Sequence, residues 1–181
     1  MCLRVISGTA RGLKLDSLDG LTTRPTLDRV KESIFNMLFD KPVSANVLDL
    51  FAGSGGMGIE ALSRGAQFCT FVDIEKKALE IVSKNVSKAR FSDRAKIVNS
   101  DFRKLLDTTT DSYDIVFVDP PYSAGFVPEV LDMLYNRHLL NEGALVVVES
   151  DRDAKPVISP NYRINRQRDY GKVSVYLLEA I

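Results

Sequence analysis

Apolar residues follow two spacings along the chain, and each spacing predicts a different kind of element. Residues 3–15 alternate apolar and other residues around glycine-containing turns, a pattern typical of a β-hairpin. Apolar residues then recur at helical spacing from Leu27 to Phe39, with Thr26 as the expected N-cap, which predicts a helix. Residues 1–42 are therefore expected to form a small hairpin-helix extension.

The remaining residues, 43–181, are predicted to form the main domain. Short runs of Val, Ile and Leu alternate there with amphipathic stretches, which predicts a parallel sheet covered on both faces. Only a short turn separates the last two apolar runs, so those two strands must be antiparallel. The predicted strands cover 46–51, 68–73, 95–99, 113–119, 144–149, 161–168 and 172–179, and the predicted helices 57–64, 76–90, 102–107 and 126–138.

Composition narrows the class of protein. The 181 residues, 45% of them apolar, suffice for one compact domain with a modest appendage. No apolar run is long enough to cross a bilayer, and the N-terminus carries no signal core or lipidation signature, so we expect a cytoplasmic protein that binds no membrane. With two cysteines and one histidine, no metal site is expected, and Cys69 is interpreted as a small buried apolar residue.

The net charge is zero, but the charge is unevenly distributed. Residues 1–31 carry a net charge of +3 and residues 152–172 a net charge of +4, whereas residues 32–151 carry −6. The zero sum therefore does not exclude a nucleic-acid partner. Any phosphate contacts are expected at the two basic ends.

A glycine motif follows the first predicted strand of the main domain. Gly53, Gly55 and Gly58 match G-x-G-x-x-G, and Asp73 ends the next strand 20 residues after Gly53. Such glycines permit a tight turn and close approach of a ligand, and the acid can accept hydrogen bonds from ribose hydroxyls. A dinucleotide site and a ligand-free turn remain alternatives.

Acidic residues near this motif favour a cationic ligand. Asp49 beside the loop would repel a pyrophosphate, but it suits a ligand that carries an ammonium and a sulfonium group. Asp101, after the third strand, could accept a hydrogen bond from an adenine amino group or simply cap the next helix, and Phe102 could stack on the ring.

The segment Asp119-Pro120-Pro121-Tyr122 ends the fourth strand, at the same sheet edge as the glycine motif. Two prolines stiffen the loop, which is expected to set the Pro120 carbonyl beside the Asp119 carboxylate. These two acceptors, with a tyrosine to stack on, suit a planar ring that bears an NH2 group. Holding both hydrogens would turn the amine lone pair toward an incoming methyl group, so these four residues are the predicted reaction site. A proline-stiffened surface loop is the alternative.

Several of these segments together resemble the bacterial RsmD family, the 16S ribosomal RNA (guanine-N2)-methyltransferases. The resemblance covers nearly the whole chain, and its more specific part lies near the N-terminus. It is carried by Arg4 through Gly12, Arg24-Pro25-Thr26 with Asp28 through Glu32, Phe51 through Gly55, Asp119 through Tyr122, and Tyr170 through Val173.

The resemblance implies an α/β protein with the class I, Rossmann-like methyltransferase fold, a seven-stranded and mostly parallel sheet with one antiparallel strand. It also implies S-adenosyl-L-methionine as the methyl donor and the exocyclic N2 of a guanine in 16S rRNA as the acceptor. Asp119 and Pro120 would grip the amine and Tyr122 would stack on the base. The expected cofactor-binding residues are Asp49, Phe51, Gly53, Ser54, Gly55, Gly58, Asp73, Ile74, Asp101 and Phe102.

The extension and the basic tail would then contact RNA. The expected partner is 16S rRNA or an assembling small-subunit particle, bound by a monomer. Strand alternation puts Arg166 and Arg168 on one face, where a merely solvated surface is the alternative. The expected RNA-binding residues are Arg11, Lys14, Arg24, Arg29, Arg166 and Arg168.

Two other functions remain open. A DNA adenine-N6 methyltransferase could use the same four-residue reaction site, because adenine also presents a planar NH2, although the chain has no room for a large target-reading domain. A non-catalytic RNA-binding assembly factor could retain the fold, although the intact motifs argue against it.

Overall fold

The computed structural model describes residues 3–17, 25–121 and 125–181, with only the backbone described for residues 25–27. The predicted succession of helices and strands is confirmed. None of the helices in these ranges has the length and apolar character needed to cross a bilayer. The elements are α1 (Pro25–Leu38), β1 (Asn46–Asp49), α2 (Gly56–Ser63), β2 (Phe68–Asp73), α3 (Lys76–Lys88), a 3₁₀ turn (Ser92–Arg94), β3 (Ala95–Asn99), α4 (Phe102–Thr108), β4 (Tyr113–Val118), α5 (Val127–Asn136), β5 (Leu140–Asp151), β6 (Tyr162–Tyr170) and β7 (Val173–Ala180).

All seven strands form one sheet in the order β3-β2-β1-β4-β5-β7-β6. Strands β1 to β5 pair in parallel, whereas β7 lies antiparallel between β5 and β6. The predicted mostly parallel sheet with one reversed strand is therefore confirmed. The strand order changes direction between β1 and β4, and the carboxyl ends of these strands form the crevice in which open α/β sheets bind ligands.

Helices cover both faces of the sheet, and successive residues of β4 show how. Phe117 joins a core cluster with Phe35 of α1 and Val82 of α3, whereas Val116 joins a second cluster with Leu131 of α5. One face is thus covered by α1, α2 and α3, and the other by α4 and α5. Because α1 packs on the first face, the extension contributes to the main core.

The N-terminal extension contains the predicted hairpin. Arg4 bridges Lys14 in antiparallel fashion, and the N–H of Val5 donates to the carbonyl of Leu13 at 2.9 Å. The predicted N-cap was wrong, because α1 begins at Pro25 and Thr26 lies in its first turn. Proline suits the first helical position, where an N–H has no intrahelical partner.

Candidate active site

The glycines of the loop have two different roles: one leaves space for a ligand, and the others allow close packing. Gly53 has a φ of +52°, and a Cβ built on it would meet nothing within 4 Å. A Cβ on Gly55 or Gly58 would instead meet Phe71 of β2, in the case of Gly58 at 2.3 Å. The structure therefore places Gly55 and Gly58 in the packing of α2 against β2. Neither lies in the cleft wall, where they had been expected to bind the cofactor.

Two acidic side chains hold this loop from opposite sides. The N–H of Gly58 donates to Oδ2 of Asp49, and the N–H of Gly53 donates to Oδ2 of Asp73, both at 2.9 Å. Oδ1 of Asp73 accepts a further bond from the N–H of Glu75 at 2.9 Å. Ile74, next to Asp73, is exposed at the tip of β2. Both predicted acids thus shape the loop itself.

The predicted adenine-binding pair has separate structural roles. Asp101 is the N-cap of α4, and its Oδ1 accepts from the N–H of Arg103 at 2.8 Å. Phe102 is only 4% exposed and lies between the rings of Phe51 and Phe126, with centroids 5.5 and 5.2 Å away. Protein rings thus contact Phe102 in this structure, and its stacking on an adenine ring stays a prediction.

A cleft of about 290 Å³ opens at the carboxyl edge of the sheet, between the glycine loop and the extension. It brings together the two predicted motifs, since Gly53, Ser54 and Asp119 all lie in its wall. The other residues that line it are Leu3, Ser17, Val30, Lys31, Asp49, Phe51, Ala52, Gly56, Met57, Phe117, Val118, Val147 and Glu149.

The cleft is acidic, and the surrounding protein changes the ionisation of its carboxyl groups. Burial, with the nearby charges of Asp119 and Asp73, raises the pKa of Asp49 to about 7. Asp119 is open to solvent along the cleft, but the protein around it displaces enough water to raise its pKa to about 6. Ionising either carboxyl group therefore costs free energy in the folded protein, and a nearby cation would lower that cost.

Lys31 of α1 is a cleft residue to which the sequence assigned no function. Its side chain is almost fully buried, and Nζ donates to the Arg4 carbonyl and lies 3.7 Å from Oε2 of Glu60. Glu60 also accepts from the N–H groups of Ile6 and Ser7 at 2.7 and 3.0 Å. Burial lowers the pKa of Lys31. This network joins the hairpin, α1 and α2 at the cleft.

Asn85 of α3 is a second residue without a predicted role. Its Nδ2 donates to the carbonyls of Asp16 and Ser54 at 2.9 Å, and its Oδ1 accepts from the N–H of Asp16 at 2.8 Å. It thereby ties the glycine loop to the segment that leaves the hairpin. A polar residue at helical spacing between Val82 and Ala89 was a detectable signal for such a buried link.

The reaction motif lies between two cavities. Pro120 is buried and Pro121 exposed, and Tyr122 falls outside the described residues. Beyond the prolines, a second cavity of about 330 Å³ is lined by both of them and by Phe126, Glu149 and residues 150–157 in part. Residues 119–121 therefore separate the cleft at the glycine loop from this second cavity, which is called the acceptor-side cavity because the predicted acceptor base would enter there.

Five of the six predicted RNA-binding residues are described, and they lie on the hairpin, α1 and β6. Arg11 and Arg29 line a polar groove of about 440 Å³ together with Arg4, Asp28 and Glu32, and Nε of Arg4 lies 3.3 Å from Oδ2 of Asp28. Lys14 is exposed on the hairpin. Arg166 and Arg168 are exposed on β6, and their partners on β7 are Leu177 and Val175, which belong to the core cluster under α1. The predicted shared face is confirmed. Arg24 lies outside the described residues.

Buried Cys69 agrees with its predicted apolar role. It is fully buried and free, and burial raises the pKa of its thiol well above the usual value.

Known proteins resemble this chain over almost its full length. It is 37% identical over 177 residues to the "Putative rRNA methyltransferase YlbH" of Bacillus subtilis, covering 96% of each chain. It is 36% identical over 178 residues to the "Ribosomal RNA small subunit methyltransferase D" of Escherichia coli, covering 98% of this chain and 89% of the relative.

Solved structures agree. A "Putative methyltransferase yhhF from Escherichia coli" superposes with a TM-score of 0.89 at 34% identity, covering 99% of this chain and 98% of that one. A putative methylase from Haemophilus influenzae gives a TM-score of 0.84 at 33% identity, covering 100% and 99%. The fold is therefore that of the methyltransferases. The model of the family described as "Conserved hypothetical protein 95" matches residues 3–179, and the chain belongs to this family, which the RsmD-like motifs had predicted.

Proposed function

We propose that this protein transfers a methyl group from S-adenosyl-L-methionine to the exocyclic N2 of a guanine in 16S rRNA. The observation that carries the proposal is the single cleft shared by the glycine loop and Asp119. The names of the relatives support small-subunit rRNA as the substrate. The likeness to the RsmD family supports guanine N2 as the acceptor.

The residues at the cleft fit the proposed cofactor, which supplies an electrophilic methyl group on a sulfonium when bound. The open space over Gly53 admits a ligand against the backbone, and Asp49 offers negative charge to its cationic end. Asp73 would accept from the ribose hydroxyls with the lone pairs that the loop leaves free. Exposed Ile74 would cover the adenine, and Asp101 would accept from the adenine amine.

Asp119 and the Pro120 carbonyl would hold the two N–H groups of the acceptor amine, with Tyr122 stacked on the base. The N2 lone pair would form the bond to the methyl carbon that the cofactor supplies, the electron pair of the broken carbon–sulfur bond would stay on sulfur, and N2 would release one proton. With a pKa of about 6, Asp119 is mostly ionised at neutral pH, so it can accept that hydrogen bond and the proton. Catalysis would rest mainly on orientation and electrostatics.

The extension, residues 1–42, would bind the RNA. Its groove is lined by Arg4, Arg11 and Arg29 and also by Asp28 and Glu32, and the arginines would contact phosphate oxygens. Arg24 is expected to supply a further phosphate contact. Arg166 and Arg168 would extend the same surface along β6. The substrate would be an assembling small-subunit particle in the cytoplasm, met by a monomer of this protein.

The first prediction concerns Asp119→Ala. We expect turnover to fall by about two to three orders of magnitude, because one of the two amine acceptors is removed. The Kd for S-adenosyl-L-methionine, measured by calorimetry, should change little. Asp93→Ala, which removes an exposed carboxyl on the 3₁₀ turn, is the matched control and should leave both quantities unchanged. Equal losses of turnover and cofactor affinity in Asp119→Ala would contradict the role.

The substrate is tested by methyl transfer from tritiated S-adenosyl-L-methionine into small-subunit particles from cells that lack the protein. We expect label in 16S rRNA, recovered as N2-methylguanine after digestion. Efficient transfer to DNA with none to the particles would instead indicate the adenine-N6 enzyme. No cofactor binding at all would indicate an assembly factor without catalysis.

A further inference from the structure

Glu149 is the acidic residue in the cleft wall that neither motif includes. It lies near the end of β5, where Val148 pairs in parallel with Val118 of β4. The next residues of the two strands, Glu149 and Asp119, therefore follow side by side, and neighbouring strands are about 4.8 Å apart. Phe117 and Val147, two residues earlier, line the same cleft. Strand alternation thus directs both carboxyl groups to the cleft face.

Glu149 also contacts the acceptor side. It lines the cofactor cleft and, with Pro120 and Pro121, the cavity beyond the reaction motif. Burial and the charges of Asp119 and Asp49 raise the pKa of Glu149 well above its usual value. Each of these two adjacent carboxyl groups keeps an acceptor oxygen whether or not it is protonated, so a ligand edge that presents two adjacent hydrogens can bind to both.

Ser150 gives a second, independent sign of a ligand. Its hydroxyl is buried, with the residue only 6% exposed, and has no hydrogen-bond partner among the described residues. Ser150 lies in the wall of the acceptor-side cavity beside Glu149. A buried hydroxyl without a partner destabilises the fold, so its place here favours a ligand that brings an acceptor.

The Watson–Crick edge of guanine has this pattern. It carries the O6 acceptor, then the N1 hydrogen, then the N2 amine, whereas adenine has a bare acceptor at N1. We propose that Glu149 selects guanine by accepting its N1–H while Asp119 holds the N2 amine. This inference rests on the proposed function and names the residue that would make the base choice.

The test compares guanine with 2-aminopurine, which keeps the N2 amine but has no hydrogen on N1. Small-subunit particles are reconstituted with 16S rRNA that carries either base at the mapped methylation position. For the wild type, we expect kcat/KM to be about tenfold or more lower for 2-aminopurine. In Glu149→Gln, the amide can donate to the bare N1, so the preference should shrink to within about threefold.

The matched control is Glu142→Gln, an exposed carboxyl of the same strand, which should keep the wild-type preference. An unchanged preference in Glu149→Gln, with the wild type active on guanine, overturns the inference and leaves the proposed function intact. If Glu149→Gln does not fold, Glu149→Ala serves, and its kcat/KM on guanine should fall to about the value on 2-aminopurine. If the wild type methylates no particle, the proposed function fails. In that case the Kd values of guanosine and 2-aminopurine riboside are measured with the protein saturated with S-adenosylhomocysteine. If Glu149→Gln changes both Kd values equally, the role of Glu149 is overturned.

Discussion

Three carboxyl groups, those of Asp49, Asp119 and Glu149, face the cleft, and each has a raised pKa chiefly because of burial. The folded protein therefore keeps protons that the unfolded chain releases above about pH 4. The free energy of unfolding must then fall as the pH rises from about 4 to about 7, because the folded state binds more protons there. A cation bound in the cleft would offset this loss.

Asp49→Asn tests that argument at one residue. The amide keeps an acceptor for the N–H of Gly58 but cannot ionise. We expect the free energy of unfolding, from urea titrations at pH 5 and pH 8, to fall less in this variant than in the wild type. S-adenosyl-L-methionine should bind more weakly at pH 8, because the negative charge is gone. Asp93→Asn is the control, and a wild-type pH dependence in Asp49→Asn would refute the assigned cause.

The sequence could predict site residues that lie close together along the chain, but not those that packing brings together. The loop acids Asp49 and Asp73 were predictable, because they lie at strand ends next to the glycines. Lys31 and Glu149 were not, since their place in the cleft comes from packing between distant segments. The ring contacts of Phe102 with Phe51 and Phe126 were not predictable either, because they join separate segments of the chain.

At the scale of elements, the hairpin is held against α2 by a close backbone approach. Gly8 has a φ of +85°, and a Cβ built on it would lie 1.8 Å from the carbonyl oxygen of Ser63. The N–H of Thr9 donates to that carbonyl at 2.8 Å, and Oγ of Ser63 donates to the Ser7 carbonyl at 2.6 Å. Only glycine allows this approach.

Gly8→Ala should therefore release the hairpin. We expect a loss of about 2–4 kcal/mol in the free energy of unfolding, or local opening of residues 3–15, because a clash with backbone adds to the strain of positive φ. Gly12→Ala is the matched control, since its φ is +83° but nothing lies within 4 Å of its built Cβ. Hydrogen exchange at the Val5 and Leu15 amides reports the opening. Equal effects of the two substitutions would mean that the approach to Ser63 does not matter.

Element order was predictable from periodicity, and boundaries were less so. All seven strands were found, but β5 begins at Leu140, before the predicted start at residue 144. Its first residues pair with Tyr113 across a register shift, and Gly143 has a φ of +72°. Irregular pairing of this kind depends on the partner strand, which the local sequence does not describe.

Although the net charge of the whole molecule is zero, its basic and acidic residues lie in different regions of the surface. The arginine groove of the extension and the basic residues of β6 lie on the side of the sheet that α1 covers, whereas the cleft is acidic. Such a surface can bind phosphates at its basic side and a cationic cofactor in its cleft. The uneven charge along the sequence predicted this separation. The sequence could not predict that the extension and β6 lie on the same face, because that depends on how distant segments pack.

Binding to RNA should therefore depend on salt in spite of the zero net charge. Arg29→Ala removes an exposed cation from the groove, so we expect weaker binding to small-subunit particles. The slope of log K against log salt should become shallower by about 0.7–0.9 for each phosphate that the variant no longer neutralises. Arg137→Ala, at the end of α5 on the other face of the sheet, is the control and should change neither quantity. Counterion release depends on the cations that contact phosphate. If Arg29→Ala leaves the slope unchanged and Arg137→Ala makes it shallower, the RNA must bind on the side of Arg137 instead.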